Sequence, residues 1–182
     1  MNLVEKIIND NSLNWCYNNL SIRFNKQQLS ILRDKSDKRF YNLKRRTGKT
    51  LLICSEALNY AFNHSNKNVV ICICNLTEKN YIKNMLINLI EQSTNLMEEF
   101  ESHNNSHLYL KNGTVITLFY QRDSFLKGMK VDYLLIDNFE YFSIETINHL
   151  LTCIKEDSSR VLILGTDNNN NRMEMIINES NW

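Results

Sequence analysis

The stretch YNLKRRTGKTLLICSEAL, residues 41–58, decides how the chain is read. Its second half, Thr47-Gly48-Lys49-Thr50 followed by apolar residues at helical spacing, has the form of a phosphate-binding loop opening a helix. Backbone N–H groups at a helix start point outward together and favour an anion. On this reading the N–H groups around Arg46, Thr47 and Gly48 cradle phosphate oxygens, Lys49 reaches the β and γ phosphates of ATP, and the Thr50 hydroxyl ligates Mg2+. The first half departs from the usual G-x-x-x-x-G-K-[ST]. Counting back from Gly48 puts Leu43 where the first Gly normally stands, and Lys44, Arg45 and Arg46 fill the loop with positive charge.

Gly-Lys-Thr alone occurs by chance, so its surroundings matter. A short apolar segment, RFYNL (39–43), precedes it, and far downstream VDYLLIDNF (131–139) reads as an apolar strand ending at Asp137. That is the form of a Walker B segment, whose carboxylate holds the magnesium ion, usually through water. The alternative is an ordinary buried strand with Asp137 capping the next turn. Upstream, Gln28 precedes Ile31 and Leu32 on an amphipathic helix leading to the loop strand. Its amide offers both a donor and an acceptor to an adenine edge; a solvated Gln on such a helix is the competing reading.

The rest of the sequence alternates between the two apolar periods. LVEKIIND (3–10), KQQLSILRDK (26–35), KTLLICSEALNYAFNH (49–64), the long EKNYIKNMLINLIEQSTNLMEEF (78–100) and SIETINHLLTCIKED (143–157) read as helices, and NVVICICNL (68–76) and RVLILGT (160–166) as buried strands. HLYLKNGTVITLFY (107–120) reads as two strands joined at Asn112-Gly113, a strong hairpin signal. Alternating strands and helices predict a mainly parallel sheet flanked by helices, with ligands at the carboxyl ends of the strands.

Length and composition bound the rest. With 182 residues, 43% of them hydrophobic, one domain with a sizeable core is expected. No apolar run approaches the roughly 20 residues that span a bilayer. Glu5, Lys6 and Asp10 stand where a signal peptide would be apolar, so a soluble intracellular protein without membrane contact is expected. The five cysteines fall mostly inside apolar runs and read as small buried hydrophobes, and the four histidines lack metal-ligand spacing. A net charge of +1 neither favours nor excludes nucleic acid. Of the basic cluster Lys35, Lys38, Arg39, Lys44, Arg45 and Arg46, the loop members are read as serving nucleotide and the others as a solvated face. Just four glycines are present, and Gly48, Gly113, Gly128 and Gly165 all fall at points of turn or close approach.

These residues together resemble the ATPase domain of the large terminase subunit, the DNA-packaging motor of tailed phages and herpes-like viruses. That family replaces the first loop Gly and carries an early loop Arg, matched here by Arg45, which is thought to sense or stabilise the γ phosphate. It places a Gln before the loop, matched by Gln28, and an alternating hairpin and then a Gly before the Walker B strand, matched by residues 107–120 and Gly128. A small coupling motif closes the last strand, matched by Gly165 and Thr166. The resemblance covers roughly residues 20–170. It implies a P-loop NTPase fold of the RecA/ASCE kind with an inserted β-hairpin. Residues 1–38 would be a helical segment with the adenine-contacting Gln, 39–166 the core and 167–182 a polar tail.

The resemblance further implies ATP and Mg2+ as cofactors, with catalytic roles for Arg45, Lys49, Asp137 and the residue at 138. The expected function is ATP binding and hydrolysis for packaging viral double-stranded DNA in an infected host cell. DNA contacts would be sequence-independent and to the backbone; portal, nuclease or small-subunit partners and a homo-oligomeric ring are implied.

Three departures qualify it. The family follows its Walker B Asp with a Glu, the general base, whereas Asn138 follows Asp137 here, and an amide takes no proton from water. Glu140 lies three residues beyond Asp137, where the family has no catalytic carboxylate. Asp167-Asn168 replaces the family's Pro-Asn or Thr-Asn, and this length leaves no room for the family's nuclease domain. A hydrolysis-deficient nucleotide-binding subunit that partners an active ATPase or nuclease is therefore the alternative expectation, with a helicase-like ATPase as a further one.

Overall fold

The computed structural model describes residues 11–120, 129–154 and 159–166. The expected helix at 3–10, Gly128, and Asp167-Asn168 lie outside the described residues. In chain order the elements are α1 (Asn11–Leu20), α2 (Lys26–Arg33), β1 (Lys38–Leu43), α3 (Lys49–Asn63), β2 (Asn68–Ile73), α4 (Leu76–Glu91), α5 (Thr94–Glu99), β3 (Phe100–His103), β4 (His107–Leu110), β5 (Val115–Tyr120), β6 (Tyr133–Ile136), a 3-10 turn (Phe139–Tyr141), α6 (Ile144–Thr152) and β7 (Arg160–Thr166).

The strands form one sheet in the order β1-β7-β6-β2-β5-β4-β3. The first five are mutually parallel, and β4 and β3 extend the far edge antiparallel. The expected mainly parallel, helix-flanked sheet is thus present, with the hairpin's second strand inside the parallel core. Strand pleat divides the core by parity. Val69, Ile71, Ile73, Leu135, Leu162 and Leu164 pack on the side of α1 to α4, and Val70, Cys72, Leu134, Ile136, Val161 and Ile163 on the side of α6. Burial on both faces explains why these strands read as continuous apolar runs.

Two expectations change. The helix read over 78–100 is two: α4 ends at Glu91 and α5 begins at Thr94, because Ser93 between them is extended (φ −123°, ψ 115°). Arg39 is not part of a solvated face. It is 4% exposed and makes a bidentate pair with Glu56 of α3 (3.0 and 2.9 Å), while also donating to the Tyr133 hydroxyl. Tyr133 in turn donates to Glu56 Oε2 (2.6 Å), and together the three tie β1, α3 and β6 beneath the sheet. Charges buried this deeply require such pairing. Lys35 and Lys38 are exposed, as expected.

A candidate nucleotide and cation site

Because β1, β7 and β6 run parallel, Leu43, Thr166 and Ile136 finish at one edge of the sheet, and the loop after β1 lies there with the residues that follow β6. The loop is built on left-handed backbone. Arg46 has φ 63° and Gly48 φ 77°, turning the chain so that α3 starts at Lys49. Thr47 Oγ1 closes the turn by donating to the Lys44 carbonyl (2.8 Å). Lys44, Arg45 and Arg46 are exposed, Thr47 is half-buried, and Lys49 is buried.

Gln28 is bonded to this loop. It occupies N3 of a capping box at the start of α2: its N–H donates to Asn25 Oδ1, and its Oε1 accepts from Asn25 N–H. Its Nε2 donates to the carbonyls of Thr47 (3.2 Å) and Gly48 (3.1 Å), and Asn25 Nδ2 also reaches the Thr47 carbonyl. A Cβ at Gly48 would stand 2.7 Å from that Nε2, so the glycine is needed for the approach as well as for its φ. Contact with a base edge would cost Gln28 these loop bonds.

At the far side of the site Thr50 Oγ1 donates to Asp137 Oδ2 (2.8 Å), joining the start of α3 to the end of β6. Asp137 is fully buried, and its Oδ1 has no hydrogen-bond partner among the described residues. Burial pushes its carboxyl up to about 6, with the Thr50 hydrogen bond opposing and nearby Glu78 adding to the rise. Buried oxygens are normally satisfied. A threonine hydroxyl and a carboxylate with one unused oxygen form the donor set that a hydrated Mg2+ takes, so the residues fit that ion.

Between loop and Asp137, at the end of β7, Lys49 Nζ donates to Thr166 Oγ1 (3.4 Å), and Thr166 Oγ1 donates to Glu140 Oε1 (2.6 Å). The turn after β6 delivers Glu140 there. Asn138 adopts the left-handed conformation (φ 52°, ψ 51°), which Asn tolerates better than most residues, and starts the 3-10 turn. Phe139 then lies against Gly165, where a Cβ would fall inside its ring edge. Asn138 points the other way and donates to Glu78 Oε1 (2.7 Å); Glu78 Oε2 accepts from Cys74 Sγ (2.8 Å).

The structure therefore brings Gln28, Thr47, Gly48, Lys49, Thr50, Asp137, Gly165 and Thr166 to one edge, with Arg45 and Arg46 on the exposed loop. Sequence reasoning missed Glu78 and passed over Glu140. The available signal was Asn138 ahead of Phe139-Glu140, a residue suited to turning the chain back. Among the described residues no group of His, Cys, Asp and Glu forms a metal cluster of its own.

No family model matches this sequence, and neither does a curated protein. Solved structures do. The HK97 bacteriophage large terminase superposes with a TM-score of 0.70 at 14% identity, over 80% of this chain and 33% of that one. The Thermus phage P74-26 large terminase ATPase domain also gives 0.70, at 18% identity, over 87% of this chain and 71% of that one. The fold is that of a phage large terminase ATPase domain. A further large terminase, from a thermophilic bacteriophage and solved in complex with ADP, shares the terminase fold at TM-score 0.62 and 14% identity, over 79% of this chain and 39% of that one. The UvsW helicase of bacteriophage T4 follows at 0.57 and 14% identity, over 85% and 57%. Against the HK97 terminase, the chain spans about a third of that protein's length. No described helix is long and apolar enough to cross a membrane.

Proposed function

We propose that this chain binds ATP with Mg2+ and hydrolyses it as the ATPase domain of a motor that packages viral double-stranded DNA. The observation that carries the reading is the Thr50–Asp137 hydrogen bond beside Lys49 and the left-handed loop, on a terminase fold. Thr50 and Asp137 would hold the cation, which supplies charge neutralisation at the β and γ phosphates. The loop N–H groups receive phosphate oxygens, Lys49 leaves Thr166 for the γ phosphate, and Arg45 adds charge from the exposed loop. Donors fixed in advance toward developing charge are usually the largest catalytic contribution. Gln28 acts by holding the loop carbonyls, and Thr166 and Gly165 carry the change at the phosphates into β7.

The thermophilic-phage terminase solved with ADP is also solved with ATP-γ-S, which favours a nucleotide here. Duplex DNA, contacted through its backbone, is the expected macromolecular partner; a portal, nuclease or small subunit and a ring of like chains would complete the motor. The test is Mg2+-dependent ATP hydrolysis by the full chain beside Lys49→Ala. Turnover by the native protein and its loss in Lys49→Ala support the reading; turnover that survives Lys49→Ala contradicts it.

A second reading has Asn138 in its favour: a nucleotide-binding subunit without turnover, whose active carboxylate sits on a partner. It predicts tight ATP binding by the full chain with no phosphate release.

A further inference from the structure

We propose that Glu140 is the carboxylate that orients the attacking water and takes its proton, the task that Asn138 cannot perform; this rests on the ATPase reading above. The turn after β6 is built for it. Asn138 reverses the chain through left-handed backbone, Phe139 seats against the bare backbone of Gly165, and Glu140 is thereby carried over the end of β7 to Thr166. Thr166 is the shared residue of a chain running Lys49–Thr166–Glu140 (3.4 and 2.6 Å). Since β7 lies between β1 and β6, this chain crosses the gap between the phosphate loop and Asp137, where a γ phosphate held by Lys49 has to sit.

Glu78 is the rival carboxylate, and the geometry disfavours it. It lies at the start of α4, on the β2 side of Asp137 and away from the loop, and both its oxygens already accept hydrogen bonds, from Asn138 and Cys74. Asn138 and Glu78 form a donor–acceptor pair that a Glu at 138 would turn into two facing carboxylates.

In the step itself the water oxygen forms a bond to the γ phosphorus while the bond to the β–γ bridging oxygen breaks. The electron pair of that bond leaves with ADP. Glu140 accepts the water proton and returns it to the released phosphate, so the carboxylate is regenerated. A positioned carboxylate of this kind contributes roughly 100- to 10,000-fold.

The experiment compares the full-length wild type with Glu140→Gln, Glu140→Asp and Glu78→Gln, measuring equilibrium ATP binding and phosphate release separately, with thermal unfolding to establish that each variant is folded. The amide of Glu140→Gln still accepts from Thr166, so folding and ATP affinity should stay within about threefold while kcat falls by about 100-fold or more. Glu140→Asp should recover part of that loss. Turnover by Glu140→Gln within about tenfold of wild type overturns the proposal, as does loss of turnover in Glu78→Gln alone. Wild type that binds ATP without hydrolysing it overturns the proposal while leaving the nucleotide site intact. Wild type that does not bind ATP overturns the ATPase reading and the proposal with it.

Discussion

Thr50 donates its hydroxyl hydrogen to Asp137 Oδ2 at 2.8 Å, across the gap between the first turn of α3 and the end of β6. This bond fixes the two groups that would share a cation, and it leaves Asp137 Oδ1 buried without a partner among the described residues. A buried carboxylate with an unpartnered oxygen holds strain in its ionised form. That strain is measurable.

Asp137→Asn should stabilise the protein in the absence of nucleotide and Mg2+. Burial raises the folded-state pKa to about 6 from 3.8, so the folded chain holds a proton over a pH range in which the unfolded chain has lost it. Stability from this group is therefore greatest below about pH 4 and falls as pH rises through about 6, by up to about 3 kcal/mol. At pH 7 the variant should melt several degrees higher, and the difference should vanish near pH 4; calorimetry across that range checks it. The same variant should lose Mg2+-dependent ATP turnover.

Gly165→Ala should damage both stability and turnover. The added methyl meets the Phe139 ring edge, and overpacking of this kind costs roughly 1–3 kcal/mol. Because the displaced ring begins the turn that bears Glu140, kcat should fall more than ATP affinity. Phe139→Leu in the same chain should recover part of the melting temperature.

Position 138 gives a contrast opposite to a restoration of the family residue. Asn138→Glu should slow turnover, since a Glu there takes a left-handed conformation costing about 1–2 kcal/mol and faces Glu78. Asn138→Gly should stay near wild-type stability, because relief of the backbone offsets loss of the bond to Glu78. Denaturant midpoints and phosphate release on both variants decide this.

The residues gathered at this edge were legible in the sequence because they are locally marked. Thr47 to Thr50 sit at a helix start, Asp137 closes an apolar strand, and Gly165-Thr166 closes the last one. Each needs only period and punctuation to be seen. Glu140 was not legible, since its position depends on a left-handed Asn138 and on Phe139 meeting Gly165, a contact set by tertiary structure. The adenine-edge reading of Gln28 missed that its amide is held by loop carbonyls formed 19 and 20 residues later. α1 lies within the expected helical segment 1–38 but was not singled out there, although Leu13, Cys16 and Leu20 recur at helical spacing.

Arg39 marks the same limit in the core, where a basic cluster in sequence gave no hint of Glu56 and Tyr133. Arg39→Ala should cost about 3–5 kcal/mol by leaving Glu56 buried and unpaired. Replacing all three together (Arg39→Met, Glu56→Leu, Tyr133→Phe) should recover most of it, as chemical denaturation of the two variants would show.

The ATPase reading requires Mg2+ and ATP to bind at the edge formed by Gly48, Lys49, Thr50 and Asp137. Titration calorimetry of the full chain with ATP, with and without Mg2+ and beside Lys49→Ala, tests it most directly. Binding should be saturable and one-to-one, strengthen with Mg2+ and weaken at least about tenfold in Lys49→Ala, the loss of one charge-assisted contact. Binding that is indifferent to both Mg2+ and Lys49, or no binding at all, would contradict it.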